Sequence, residues 1–169
     1  MSYPYTSRTE IEQELPTQKI IQLCDDERSV NNDLGTLAQA EIDNSAITAR
    51  IDRIIARVNG EVDAYCRKRF LPPIEDENGD TPAMIVNLAT DLAVYWLHMR
   101  RKSEMDVPEQ IRRMYEDAID ALKGIMAGKV DPGVDPQPAK SSAVKAEFAT
   151  AAEYVEGTSA FTRETLEDF

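Results

Sequence analysis

The stretch from Ser45 to Arg69 limits the possible folds of this chain more than any other part of the sequence. Its apolar side chains recur at steps of three and four residues, at Ile47, Ile51, Ile54, Ile55, Val58, Val62, Tyr65 and Cys66. This spacing predicts one amphipathic α-helix, roughly 37 Å long at 1.5 Å per residue. A helix of that length buries its apolar side only if other helices cover it, so the sequence indicates a helical bundle.

Two short helices are predicted before this long one. Ser7 followed by Glu10 is a capping box, which predicts the start of a helix. Pro16 interrupts that helix and suits the first turn of a second one, predicted over Thr17–Cys24. Residues 25–44 are polar and carry Asn, Asp and Gly turn signals, so a loop is predicted there.

A third helix is predicted after the proline pair Pro72-Pro73, which the long helix cannot enter. Thr81 is its predicted N-cap, with Pro82 at the first helical position. Its predicted apolar side consists of Ile85, Leu88, Leu92, Tyr95, Trp96 and Met99. The short connection to the next helix predicts that the two are antiparallel neighbours, with the long helix packed across them.

A fourth helix is predicted to open at the capping pair Asp106 and Glu109 and to end at Gly128. Its apolar stripe is Ile111, Met114, Tyr115, Ala118, Leu122 and Ile125. No stretch of the sequence keeps the alternating pattern of a β-strand for more than a few residues. We therefore predict an all-α fold, a small bundle of amphipathic helices with one long central helix.

Three regions of different charge indicate the organisation of the chain. The total net charge is −12, of which residues 1–43 carry −6, residues 44–128 carry −2 and residues 129–169 carry −4. We expect short helices and an acidic loop in 1–43, the helical core in 44–128, and a flexible, partly disordered arm in 129–169. A strongly acidic protein repels nucleic acid at long range, and the commoner alternative is that the acidic charge serves only solubility.

The arm is polar and rich in proline, yet Phe161, Leu166 and Phe169 lie near its end. Such a segment can become ordered when a partner surface buries its few apolar side chains. A docking segment is one interpretation, and a disordered terminus with incidental apolar residues is the other. Composition does not decide between them.

The sequence gives little indication of a catalytic or metal-binding site. Cys24 and Cys66 are far apart and are expected to be small buried residues, while His98 is expected to be a polar residue at a helix end. The acidic loop 25–35 fails the EF-hand template, because setting Gly35 at the sixth position puts Val30 first. We therefore expect no enzymatic activity, no cofactor and no metal site.

Residues 1–14 also lack the apolar run of a secretory signal, so a cytoplasmic protein is expected.

Three basic clusters stand out against the acidic background, at residues 67–69, 100–102 and 112–113. The first two lie at predicted helix C-termini, where cations are stabilised by the exposed carbonyl groups. The alternative is that Arg67, Arg69, Arg100 and Arg101 meet acidic surfaces on a partner or on another copy of the chain. Interleaved aromatic residues that would stack nucleic acid bases are not seen in the sequence.

The order of these features resembles the Mu-like family of phage neck proteins and, more distantly, the head–tail connectors, or adaptors, of long-tailed phages. The resemblance is carried by Ile51-x-x-Ile54-Ile55-x-x-Val58-x-x-Glu61-Val62-Asp63-x-Tyr65-Cys66-x-x-Arg69-Phe70, by Leu71-Pro72-Pro73, by Leu88-Ala89-x-Asp91-Leu92-Ala93-x-Tyr95, by Val107-Pro108-Glu109, by Tyr115-Glu116-Asp117-Ala118 and by Phe161-Thr162-Arg163-x-x-Leu166-x-x-Phe169. Together these segments span nearly the whole chain, although the loop at 25–44 and the segment 130–160 are longer than is usual in the family.

The resemblance implies a non-enzymatic virion protein that forms a ring beneath the portal protein and receives head-closure or tail-completion proteins. It places the protein at the virion head–tail junction, and in the host cytoplasm before assembly. The expected partner contacts are the tail residues Phe161, Arg163, Leu166 and Phe169, together with the arginines named above. The alternative function is a small acidic phage-encoded regulator that binds a host protein.

Overall fold

The computed structural model describes residues 5–26, 36–101 and 107–136, which belong to one compact unit. Within these ranges the chain forms six helices and no strand, which confirms the predicted all-α fold. The helices are α1 (Arg8–Glu14), α2 (Thr17–Cys24), α3 (Leu37–Asp43), α4 (Ser45–Cys66), α5 (Ala83–Met99) and α6 (Glu109–Ala127). Over the same residues, no helix has both the length and the apolar composition needed to cross a membrane.

Helix α4 is the centre of the bundle and packs against α2, α3, α5 and α6. The predicted apolar stripe forms its buried side, with Ile47, Ile51, Val58, Val62 and Cys66 removed from solvent. Ile55 and Tyr65 lie at the margins of that side and remain partly exposed. The helix ends at Cys66, three residues before the predicted end, because residues 67–69 form a turn.

Helix α5 lies between α4, α6 and the N-terminal helices. Its buried side includes Ala89, Ala93 and Leu97, which the sequence pattern had not assigned to the core. Four larger residues of the predicted stripe are only partly buried: Leu88, Tyr95, Trp96 and Met99. The N-cap prediction was wrong, because the cap position is Pro82 and not Thr81.

Helix α6 buries Ala118, Leu122 and Ile125 of its predicted stripe, and also Ile119, which the stripe did not include. The other predicted residues, Ile111, Met114 and Tyr115, are only partly buried. It starts after Pro108, which occupies the N-cap position, while Asp106 of the predicted capping pair lies outside the described residues. Gly128 ends the helix in the left-handed conformation (φ 75°), as predicted, since this φ suits glycine.

The compact unit continues beyond this glycine, through residues 129–136. The amides of Lys129 and Val130 donate to the carbonyl of Gly124, and this turns the chain back along α6. Val130 and Val134 then pack against the core. The first residues of the predicted arm are therefore held by apolar contacts, and the following residues, 137–169, lie outside the described part of the chain.

The N-terminal segment contains one helix more than predicted. Helices α1 and α2 occur as expected, and the hydroxyl of Ser7 accepts from the amide of Glu10 at the start of α1. Helix α3 was missed, because its seven residues lie inside a segment with many turn signals. Thr36 caps α3, and Leu37 and Ala40 are buried against the bundle. Tertiary packing therefore stabilises a helix that the local sequence pattern does not predict.

Candidate interaction surfaces

Three arginines converge on the C-terminal end of α2, where they meet Asp26. The guanidinium of Arg101 donates to the carbonyls of Gln22 (2.6 Å) and Asp25 (2.9 Å). Arg50 donates to the carbonyl of Cys24 (2.6 Å) and pairs with Asp26 (3.3 Å). We call Arg50, Arg100, Arg101 and Asp26 the α2-terminus cluster. It occupies the carbonyl groups that a helix end leaves without helical partners.

Arg100 and Arg101 therefore have intramolecular partners. Arg100 pairs with Asp26 and also donates to the carbonyl of Cys24 (3.4 Å). Only 13% of the Arg101 side chain and 22% of the Arg100 side chain are exposed. The position at a helix C-terminus agrees with the sequence, but the carbonyls they contact belong mainly to α2. A partner contact at these two residues stays a prediction, and their internal bonds do not favour it.

Arg67 and Arg69, at the end of α4, differ in their surroundings. Arg67 occupies the C-cap position and is exposed. Arg69 is partly buried, approaches the carbonyl of Ile125 at 3.5 Å, and lies over the ring of Phe70. A side chain at Gly128 would meet the Arg69 guanidinium at 2.7 Å, so this contact and the positive φ both favour glycine. Arg69 thus links the ends of α4 and α6, while Arg67 is accessible to a partner.

An aromatic cluster lies where α4, α5 and α6 meet. The rings of Tyr95 and Tyr115 are stacked at 4.0 Å between centroids, and Tyr95 meets Trp96 edge to face at 5.2 Å. The guanidinium of Arg57 lies over the Trp96 ring, 3.3 Å from its centroid. The indole nitrogen of Trp96 donates to Glu61 at 3.0 Å. We call these five residues the aromatic–arginine face.

The aromatic–arginine face remains open to solvent in part, since Arg57 is exposed and the three rings are only partly buried. Sequence reasoning missed it, because the rings were assigned to the cores of two different helices. One signal was present in the sequence: Arg57 and Glu61 are one turn apart on α4 and hence on the same side of that helix. Nothing in the sequence indicated that Trp96 would lie beneath them.

The opposite side of α4 holds the N-terminal segment. The amide of Tyr5 donates to Asn59 (3.0 Å), and its hydroxyl donates to Asp63 (2.5 Å) while accepting from the amide of Ile74 (3.3 Å). Burial and the Asp63 carboxylate raise the pKa of Tyr5. These bonds fix the loop that begins at Ile74 beside Asn59 and Asp63.

That loop and the segment after α6 line an open, acidic cleft of about 670 Å³. Its acidic residues are Glu75, Asp76, Glu77, Asp131 and Asp135, and no Lys or Arg of the described ranges lines it. Asp76 organises the turn by accepting from the amides of Asn78 and Asp80, and these bonds lower its pKa, the one from Asp80 most. We call this feature the acidic cleft.

Two buried cysteines and the single histidine behave as the sequence predicted. Cys24 and Cys66 are free thiols in the core, and burial raises the pKa of each to about 11. His98 lies buried in the last turn of α5, with Nδ1 2.9 Å from the carbonyl of Val94. No group of three or more potential metal ligands occurs in the part of the chain that the structure describes.

Most of the chain matches a known protein family. The family described as Bacteriophage Mu, Gp36 matches residues 5–150. The chain belongs to the bacteriophage Mu Gp36 family. This confirms the resemblance to Mu-like phage proteins that the sequence features indicated. Among curated proteins, none matches the chain.

The match to the Mu Gp36 family covers all six helices, so the aromatic–arginine face and the acidic cleft both lie inside the family region. The predicted contact residues Phe161, Arg163, Leu166 and Phe169 lie beyond the match and outside the described residues. Residues 27–35, which include most of the rejected calcium loop, are also outside them.

Proposed function

We propose that this protein is a non-enzymatic structural component of the phage particle that acts as a head–tail connector. Several copies form a ring beneath the portal protein, and the ring receives head-closure or tail-completion proteins. The protein is in the host cytoplasm before assembly and at the head–tail junction of the virion afterwards.

Membership in the Mu Gp36 family supports a phage role, and the aromatic–arginine face supports an assembly role. Trp, Tyr and Arg are enriched at protein interfaces and at the residues that dominate their binding energy. Here the rings of a Trp and two Tyr contact one another, an Arg lies over the Trp ring, and all four side chains remain at least partly accessible. This exposed cluster is the single observation that carries the proposal, because it gives the bundle a surface suited to a protein partner.

The sequence after the described core offers contacts for a second partner. Residues 137–169 include the apolar side chains Phe161, Leu166 and Phe169. We propose that this arm contacts the portal protein or a neighbouring copy, with Arg163 among the contact residues. A polar segment with a few apolar anchors can bind a groove by becoming ordered there.

The experiment that tests the function is quantitative mass spectrometry of purified phage particles. The tryptic peptide 114–123 would be measured against peptides of the portal protein in the same particles. A copy number close to that of the portal is expected for a connector ring. Absence from particles, with abundance in the infected-cell lysate, would contradict the connector function and favour the acidic regulator.

The role of the arm is tested by ending the chain after Pro136. This position keeps Val130 and Val134, which pack on the core, whereas an end after Gly128 would remove them. The truncated chain should melt within about 1 °C of the full chain, because no described core contact is lost, yet it should be missing from particles. Normal incorporation would show that the arm is not a docking segment.

A further inference from the structure

The aromatic–arginine face and the acidic cleft lie on different sides of α4. Glu61 contacts Trp96, whereas Asp63 contacts Tyr5, whose hydroxyl also binds the amide of Ile74 at the start of the acidic loop. Two positions along a helix of 3.6 residues per turn correspond to a rotation of about 200°. The same chain therefore presents one surface on the Glu61 side of α4 and the other on the Asp63 side.

The two surfaces are complementary in charge. At the α4 margin of the aromatic–arginine face, Arg53 lies one turn before Arg57, and both side chains are exposed. Glu61, which accepts a hydrogen bond from the indole nitrogen of Trp96, lies at the same margin, so this margin holds two arginines and one glutamate. Among the described residues, the acidic cleft is lined by five carboxylates and by no basic side chain. Arginine and carboxylate groups form paired hydrogen bonds of matching geometry, so each surface supplies what the other binds.

The surfaces also match in apolar character. Leu71 lies four positions before Glu75, the first residue of the acidic cleft in the chain. It is 51% exposed and is one of two large apolar residues with such exposure in the described ranges. The rings of Tyr95, Trp96 and Tyr115 are only partly buried. An interface typically has an apolar centre and a polar rim, and an exposed leucine beside aromatic rings can form such a centre.

We propose that the aromatic–arginine face binds the acidic cleft of a second copy of this chain, and that this contact repeats head to tail around the ring. Two different surfaces on one chain give a heterologous contact, which is the kind that generates rings. The inference rests on the connector function proposed above and deepens it, because it names the two surfaces through which neighbouring copies meet.

The contact can be tested by cross-linking in assembled particles. Full-length chains with Arg57→Cys, with Glu77→Cys, or with both would complement a phage that lacks the gene. The native thiols of Cys24 and Cys66 are buried with raised pKa values, so a short bifunctional thiol reagent should leave them unmodified. The double variant should give a ladder of oligomers on a denaturing gel, and each single variant only monomer.

Each other outcome has a defined meaning. A double variant present at the copy number of the portal but without a ladder would overturn this contact and leave the connector function intact. Dimers from Arg57→Cys alone would also overturn it, since they indicate a two-fold contact between identical faces. A cross-link between Arg57→Cys and the portal protein would overturn the contact, because it would show that the portal protein, and not a second copy of the chain, binds the aromatic–arginine face. If the wild-type chain is absent from particles, the connector function fails, and this inference fails with it.

A charge exchange provides a second measurement. Arg57→Glu should lower the number of copies per particle about tenfold, the factor that corresponds to about 1.4 kcal/mol. Combining it with Glu77→Arg and Asp135→Arg should restore the number to within about twofold, because the pairing is rebuilt with exchanged signs. Arg113→Glu is the matched control, since Arg113 is two positions before Tyr115 and on the other side of α6. Equal losses from Arg57→Glu and Arg113→Glu, or no rescue, would refute the contact.

Discussion

The arginines of the α2-terminus cluster and the arginine of the aromatic–arginine face serve different purposes in the same bundle. Arg101 is largely buried, and its guanidinium donates to two main-chain carbonyls. Arg57 is exposed, and its guanidinium lies over an aromatic ring. In the first case the charge stabilises the fold. In the second the guanidinium remains exposed to solvent, so residue type alone does not distinguish an arginine that stabilises the fold from one that is accessible.

The largest effect on stability is expected from Arg101→Ala. This change removes two charged hydrogen bonds and leaves the carbonyls of Gln22 and Asp25 without their donor. The free energy of unfolding should fall by about 3 kcal/mol, the sum expected for charged bonds at a largely buried site. Urea denaturation followed by circular dichroism measures this, with the exposed Arg113→Ala as control at under about 0.5 kcal/mol. Equal effects from Arg101→Ala and Arg113→Ala would mean that the bonds from Arg101 to the two carbonyls do not stabilise the fold.

A smaller loss is expected from Trp96→Phe, within the aromatic–arginine face itself. The phenyl ring keeps part of the packing but loses the hydrogen bond to Glu61 and weakens the stacking of Arg57. The free energy of unfolding should fall by about 1.5 kcal/mol in the same denaturation experiment. Tyr115→Phe, which keeps the stacked ring, is the control and should stay within about 0.5 kcal/mol of the wild type.

Asp91 extends the comparison to carboxylates. Asp26 is surrounded by arginines, whereas Asp91 on α5 is partly buried near Glu14 on α1. Burial, with a further contribution from the charge of Glu14, raises the pKa of Asp91 to about 6. Ionised Asp91 therefore costs stability at neutral pH. Because the folded state binds the proton more tightly, stability should rise as the pH falls from about 7 to about 4.

The corresponding substitution is Asp91→Asn, which removes this charge. At pH 7 it should raise the free energy of unfolding by about 1 kcal/mol, a value reduced for solvent screening of a partly exposed group. The gain should vanish below about pH 4, where wild-type Asp91 is protonated in both the folded and unfolded states. Thermal melts from pH 4 to pH 7 test this. A gain of the same size at all pH values would mean that Asp91 does not titrate as described.

The smallest effect on stability is expected from Arg57→Ala. Its exposed cation–π contact contributes about 0.5 kcal/mol. If Arg57 serves a partner, the same variant should still be present at fewer copies per particle, as measured by mass spectrometry. A large loss of stability in Arg57→Ala would mean that Arg57, like Arg101, stabilises the fold.

The sequence was most informative for the long helices. The spacing of apolar residues located α4, α5 and α6 to within a few residues, since the sides that a helix buries recur with its period. Local capping signals were less dependable. Ser7 and Gly128 act as predicted, but Thr81 does not, because the helix starts one residue later, after Pro82.

The interaction surfaces were the hardest to predict. The sequence indicated that Arg100 and Arg101 lie at a helix end. Their partners are the carboxylate of Asp26 and main-chain carbonyls of residues 22–25, more than 70 positions earlier in the chain. The aromatic–arginine face joins residues of three helices, so no local spacing reveals it. Both depend on how the helices are placed relative to one another.

The sequence by itself determined the all-α class, the long central helix and the family, because helical periodicity and family features are properties of residue order. Tertiary structure decided that α3 forms and that Arg57 stacks on Trp96. It also decided that Arg100 and Arg101 bond to groups at the end of α2. The physical reason is that these features are contacts between segments distant in the chain. Their energy comes from packing and desolvation at helix crossings, and a linear pattern of residues does not contain that geometry.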